Sequence, residues 1–365
     1  MPTTTFRDTR PFTFLTSGLA AVVFAAGTTL LSGEVHAAQT LTYATNTSPT
    51  GLRGEAEQGF IDALASVSGG ELKVVPYWGA SVLKGDETLG GVKNGVADMG
   101  FINLNYYPNQ LLLNGAFQLF PEGPGSYAGK MQAYHDIYDQ VPALREEFSR
   151  QGQKIVYLYP YLPYAGVFNE PVTSFEDFEG LRIRASSQWV LNLLGGLGAT
   201  PVSVPWSDTY QSLQSGAIDG VFTNYDSLSR TGMDEVAPNI LTTQRLWVAS
   251  PMVITLNQQK WASLSEQEKA WFQEAAAKAE QTFGDYYANE FDRISTQQQD
   301  AGYTVTAASE EDIERFASLP AVDDNRRIWI ESAEEAGADH PGDIIEQMQT
   351  IIDASSEVNS EASGS

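Results

Sequence analysis

The chain has 365 residues and carries 46 acidic against 21 basic side chains, a formal net charge of −25. So acidic a balance excludes nucleic acid as a partner, because phosphate binding requires a basic face, and the absence of cysteine excludes disulfides and thiolate metal sites. A hydrophobic content of 42%, with 16 Tyr, 17 Phe and 7 Trp, is ample for packed cores, and the length suits roughly two domains of ~100–200 residues each.

Residues 1–37 differ from the rest. Arg7 and Arg10 precede an apolar run centred on Leu19 to Gly27, and Val35-His36-Ala37 supplies small residues at a cleavage point. This is the pattern of a secretory signal cut after Ala37 or Ala38; the alternative is an uncleaved anchor running from Phe12 to Leu31. The expected location of the mature chain is the periplasm. Of three histidines, His36 leaves with the signal, and His135 and His340 are too few for a histidine-rich metal site. The spacings GxSxG, HExxH, GxGxxG and the EF-hand loop are absent, and GSYAGKM (residues 125–131) lacks the hydroxyl of a phosphate-binding loop. No cofactor, no metal and no enzymatic activity are expected.

Beyond the signal, Leu41–Ala44 alternates as a strand. Phe60, Ile61, Leu64 and Val67 then recur at helical spacing before a Gly-Gly stop. Residues 71–78 read as a second strand, residues 85–95 as a short helix ending on glycine, and VADMGF as a third strand. Alternating strand and helix predicts an α/β fold with mainly parallel sheets flanked by helices.

Past residue 160 the arrangement returns. GVKNGVADMGF (91–101) overlays QSLQSGAIDGVF (211–222), bringing Gly95, Asp98 and Phe101 onto Gly216, Asp219 and Phe222. GELKVVPYW (70–78) overlays EGLRIRASS (179–187), which puts Arg184 where the first copy has Val75. On this overlay the second copy inserts about twelve residues around LGGLGATPVSVPW between strand and helix. Arg182 is expected to pair with Glu176, Asp177 and Glu179, while Arg184, nearer the carboxyl end of its strand, is placed where open α/β sheets bind ligands. Ser265 and Glu268 form a capping box that opens a helix of roughly 36 residues, about 54 Å long, suited to brace both halves. Tyr303–Ala307 is a last strand, Ser309–Phe316 begins another helix, and residues 353–365 read as a disordered tail.

The segment Pro171–Gly220 combines a Gly-Leu-Arg-Ile-Arg strand, a Gly-Ala-Thr-Pro turn and Tyr-Gln-Ser-Leu-Gln-Ser-Gly-Ala-Ile-Asp-Gly. Through it the chain resembles the solute-binding subunits of tripartite ATP-independent periplasmic (TRAP) transporters, over essentially the whole mature length. The resemblance implies a two-lobed periplasmic binding protein fold. It implies a monomer that binds a small carboxylate-bearing solute and hands it to small and large membrane subunits. It assigns the ligand carboxylate to Arg184, whose planar fork fits a carboxylate bidentately, and an aromatic wall to Trp206. Where the family often continues Gln-Glu-Asn-Pro, this chain reads VFTNYDS, so Thr223 and Asn224 both stand as ligand contacts. Phe101, Asn103, Asn105 and Tyr106 are the candidates of the first lobe, and Ser186 is a further hydroxyl donor. Lobe I is expected from residues 38–162 with about 250–290, lobe II from 163–249 with about 291–330, and 331–352 as a C-terminal helical segment. Two rivals are the receptor of an ATP-driven importer and an exported carboxylate-using enzyme.

Overall fold

The computed structural model describes residues 38–248 and 250–362; the signal expected at 1–37 lies outside them. Two βαβαβ runs form the halves of the chain. The first comprises β1 (Gln39–Ala44), α1 (Gly51–Val67), β2 (Leu72–Tyr77), α2 (Thr88–Lys93) and β3 (Met99–Ile102). Helices α3 (Tyr127–Gln140) and α4 (Pro142–Arg150) lead to β4 (Gln153–Tyr159), which passes within a few residues into β5 (Tyr164–Phe168) of the other sheet. The second run comprises β6 (Arg182–Arg184), α5 (Gln188–Gly196), β7 (Thr200–Val202), α6 (Trp206–Gln214) and β8 (Gly220–Asn224). Next come α7 (Tyr225–Arg230), α8 (Met233–Val236) and β9 (Asn239–Thr242), before the chain crosses back into β10 (Met252–Asn257). The remainder is α9 (Gln258–Ser263), α10 (Glu266–Asp300), β11 (Thr304–Ala307), α11 (Glu310–Ala317), α12 (Pro320–Glu335) and α13 (Pro341–Ala362).

Strand order is β2-β1-β3-β10-β4 in one sheet and β11-β9-β5-β8-β6-β7 in the other. All pairs are parallel except those of β10 and β5. These are the strands the chain enters on crossing between lobes. Each therefore begins at the end of the sheet where its parallel neighbours finish, and that shared end faces the cleft. β5 and β8 are buried along their whole length, as expected for central strands covered on both faces.

The repeat is physical, but its frame differs from the sequence overlay. In both halves a helix ends on a left-handed glycine, Gly95 (φ 75°) and Gly216 (φ 69°). The paired bonds Gly95 N to Val92 O with Val96 N to Gly91 O recur as Gly216 N to Leu213 O with Ala217 N to Ser212 O, the Schellman pattern that favours glycine at this position. The following aspartate then clamps the neighbouring strand. Asp98 accepts from Thr42 N and Oγ1, each at 2.8 Å, and Asp219 accepts from Arg182 N at 2.8 Å. Thr42 lies in β1, so the counterpart of β6 is β1, not β2. The pairings Ala44 with Gly100 and Arg184 with Val221 match Arg184 to Ala44 rather than Val75. GELKVVPYW is β2, whose counterpart is β7, so the expected insertion is instead a strand. Arg182 is also corrected: it bonds Asp219 at 2.7 Å and the carbonyls of Gly216 and Ala217, while Glu176 pairs with Arg315.

Helix α10 carries the expected Ser265–Glu268 capping box and runs 35 residues, about 53 Å. Phe272 packs against Phe60 near its start, whereas Phe291 packs against Tyr225 and Gln298 donates to Asp234 near its end, so the helix touches both lobes. The C-terminal stretch from Asp353, expected as a disordered tail, continues α13 to Ala362. Met348 and Ile352 are buried, and α13 packs on α3.

The core of lobe II centres on Phe222, fully buried among Tyr164, Phe175, Phe178 and Phe316. Phe222→Ala is expected to destabilise the protein by about 3–5 kcal/mol, read as a lower denaturation midpoint at unchanged m-value.

Candidate functional site

The carboxyl ends of the parallel strands converge on a cavity of ≈ 410 Å³. Asn46 and Thr47 follow β1, and Asn103, Asn105 and Tyr106 follow β3. On the opposite wall Arg184 ends β6, Ser186 follows it, and Ser203 to Trp206 follow β7. Thr223 and Asn224 end β8, with Ser227 and Arg230 on the next helix, α7. Tyr161, Tyr164 and Met252 come from the crossings.

Arg184 is 4% exposed. Its Nε and Nη2 both donate to Val204 O at 3.2 Å, its Cζ lies 5.2 Å from the centre of the Trp206 ring, and its Nη1 is buried without a partner. Among the described residues no carboxylate pairs with it. Burial holds its guanidinium below the usual arginine range. A buried charge with a spare donor is costly to leave unmatched, and the lone pairs of an incoming carboxylate match it.

The other expected residues fall as follows. Trp206, Asn103, Asn105, Tyr106, Ser186, Thr223 and Asn224 all line the cavity with Arg184. Phe101 does not: β3 is buried on both faces, and Phe101 stacks on Tyr159 in the core. Asn224 spends its amide donors on Asp226 at 2.7 Å and Ser227 at 2.8 Å, so it holds the first turn of α7. Thr223 donates to Asn224 Oδ1, leaving its oxygen lone pairs open.

Arg53 and Arg230 also line the cavity, and neither was expected. Arg53, in the first turn of α1, crosses to the other lobe, with Nη2 donating to Ser227 Oγ at 2.8 Å and Nε 3.4 Å from Asp226 Oδ2. Burial is the largest influence and opposes its charge, but Asp226 together with Tyr159, Tyr106 and Glu57 outweighs it and raises the pKa. A cation at a helix N-terminus opposes the helix dipole, and that misfit was readable in GLRGEAEQ. Behind it, Glu57 accepts from Tyr43, Tyr159 and Thr47, and burial pushes its carboxyl up. A second link between the walls runs through Gln118, which donates to Asn105 and accepts from Ser187. No cluster of metal-ligating side chains occurs among the described residues.

Residues 43–323 match the model of a family described as bacterial extracellular solute-binding protein, family 7. The chain is 29% identical over 186 residues to the ectoine-binding periplasmic protein TeaA of Halomonas elongata, covering 50% of this chain and 52% of that protein, so the match spans about half of that relative's length. It is 25% identical over 325 residues to the 2,3-diketo-L-gulonate-binding periplasmic protein YiaO of Escherichia coli, covering 87% and 94%. Its fold matches that of a marine metagenome TRAP solute-binding protein specific for aromatic acid ligands, solved with 3-hydroxybenzoate, at a TM-score of 0.74 and 21% identity, covering 87% of this chain and 99% of that one.

Removing the carboxylate beside Arg53 strands a buried charge. Asp226→Asn is expected to cost about 3–5 kcal/mol of stability, and Arg53→Gln combined with Asp226→Asn to recover part of it. Equilibrium denaturation of the two single variants and the double variant measures the coupling.

Proposed function

Because the chain belongs to family 7 of the bacterial extracellular solute-binding proteins, the receptors of TRAP transporters, we propose that it captures a small carboxylate-bearing solute in the periplasm and delivers it to the small and large membrane subunits. This family consists of transport binding proteins, not enzymes, which tells against the enzyme, and its being the TRAP receptor family tells against the receptor of an ATP-driven importer.

The observation that carries the carboxylate is Arg184, a buried guanidinium with a free donor and, among the described residues, no acidic partner. Bidentate pairing would satisfy that donor and neutralise the charge in one step. Two of the relatives support the reading by their names, since gulonate and hydroxybenzoate are carboxylates. Trp206, stacked on the guanidinium, would form a wall for the solute body. Thr223, Asn224 and Ser186 would add polar contacts from lobe II, and Asn103, Asn105 and Tyr106 from lobe I.

We assign the moving bodies as residues 38–162 with about 250–290, and 163–249 with about 291–330. The ligand gains contacts from both only when they close, so binding shifts a hinge equilibrium. The protein acts as a monomer without a cofactor.

Thermal shift against a panel of organic acids, sugar acids, amino acids and compatible solutes identifies the ligand class, because a compound that binds the folded state raises Tm. By calorimetry with the strongest stabiliser, Arg184→Gln should weaken binding at least about 30-fold, the loss of one buried charged partner. Arg184→Lys should recover only part, since an ammonium lacks the fork. Undiminished affinity in Arg184→Gln would remove the anchoring role.

A further inference from the structure

A second cavity, of ≈ 430 Å³, shares no lining residue with the cleft. It lies along β4, the last strand of its sheet, walled by α3 and α4 on one side and by α10 with Trp261 on the other. The register of β4 on β10 slips by one residue at Val156: Lys154 stands opposite Leu256 and Tyr157 opposite Ile254, while Ile155 stands opposite Thr255. Partners in register share a face and side chains alternate along a strand, so residues three apart normally point opposite ways. This bulge instead brings Lys154 and Tyr157 onto one face, about 7 Å apart along the sheet.

Both carry polar atoms that the rest of the cavity leaves unmatched. The Lys154 ammonium lies 5.3 Å from the centre of the Trp261 ring and, among the described residues, has no hydrogen bond or ion pair. Burial and the nearby charge of Arg145 hold it below the usual lysine range. Tyr157 stacks on Phe60, and its hydroxyl is buried without a partner. The other charges of the lining are paired, Arg145 with Asp139 at 2.6 Å and His135 with Glu280 at 3.0 Å. Val156, Phe272, Ala276 and Ala277 add apolar surface, and the two alanines keep the face of α10 low enough to leave room.

We propose that this cavity is a second binding site, for an amphipathic organic monoanion with a flat apolar body. Its acid group meets Lys154 beside Arg145, its body lies against Trp261, Phe272 and the two alanines, and an oxygen at its far end accepts from the Tyr157 hydroxyl. One acid group is required because one cation is unmatched. A neutral occupant would cover Lys154 without supplying a counter-charge and a cationic one would add to it, and both are penalised as water leaves. The flat body follows from the aromatic walls, which pack best against rings set edge-on or offset. Arg184 takes no part, so this site stands or falls separately from the solute proposed for the cleft.

The probe is 6-hydroxynaphthalene-2-sulfonate, with 2-naphthol as the same body lacking the acid group, each titrated into the purified protein by calorimetry near pH 7. The sulfonate should bind at least about 10-fold tighter than the naphthol. Lys154→Gln should bring the two within about 3-fold by weakening the sulfonate alone, and Lys154→Arg should retain most of the preference. Ala277→Trp, at an exposed position on the cavity wall, should abolish binding of both by filling the space. Tyr157→Phe should weaken the sulfonate at least about 3-fold without lowering Tm, because deleting an unpartnered buried hydroxyl costs the free protein no hydrogen bond. Arg184→Gln should leave the sulfonate affinity within about 2-fold, which separates this site from the cleft. Equal affinity for the two compounds, no sulfonate binding at ~1 mM, or a preference that persists in Lys154→Gln overturns the inference. So does binding lost in Arg184→Gln, which would put the sulfonate in the cleft and leave the receptor reading intact.

Discussion

A guanidinium removed from water, with no acidic partner among the described residues, is the feature on which the cleft depends. The carbonyl of Val204 takes two of the donors of Arg184, and the Trp206 ring lies against its face. Each of these is weaker compensation than a carboxylate, so the site is left electrostatically incomplete. The sheet architecture makes this tolerable. Parallel strands all finish at the cleft, which lets β6 end on a charged residue while the fold beneath is secured by apolar strands such as β5 and β8. The clamp at the other end of β6, Arg182 on Asp219, uses a charge pair at the surface, where it is screened and cheap to hydrate.

The two lobes contribute different chemistry to the cavity. Lobe I supplies amides and hydroxyls together with Arg53, a cation already neutralised across the cleft by Asp226. Lobe II supplies Arg184, buried with one donor unpartnered, and the exposed Arg230, on which the Asp226 carboxylate acts. Because Arg53 of lobe I reaches Asp226 and Ser227 of lobe II, and Gln118 joins Asn105 to Ser187, the walls are linked on both sides of the space a ligand would enter. Helix α10 and the crossings at Tyr161 and Met252 keep the lobes in register, and Tyr287 of α10 donates to the Tyr161 carbonyl. The closure proposed would thus be a rearrangement between two preformed, partly linked surfaces.

Much of this was legible in the sequence, for reasons that can be named. The long helix announced itself through the Ser265–Glu268 box, and the two Asp-containing turns through glycines that their left-handed backbone favours. β7 escaped because Thr-Pro-Val is three residues at a sheet edge, mostly exposed, with no hydrophobic period to detect. Missing it shifted the overlay by one strand and credited Arg184 with the wrong counterpart. Phe101 was misplaced because alternation says nothing when a strand is buried on both faces; the residues that emerge are those after the strand ends, Asn103 onward. The tail looked disordered from its polarity, whereas Met348 and Ile352 anchor its helix. Arg53 left a trace, a cation at a helix start. Arg230 left none, because an arginine in the last turn of a helix is electrostatically ordinary.

The acidity of the chain and the basicity of its cleft act over different distances. The surplus of carboxylates lies on the surface, where its field is screened within about 8 Å at physiological ionic strength. Arg184 and Arg53 lie in a recess walled by low-dielectric protein, where a charge acts strongly at short range and salt reaches it poorly. The anionic solute proposed would therefore be repelled weakly on approach and held strongly once inside. Placing an uncompensated cation only where a ligand can cover it also keeps it from attracting the acidic surface of other molecules, which is how a protein with a net charge of −25 would bind the anion proposed for it.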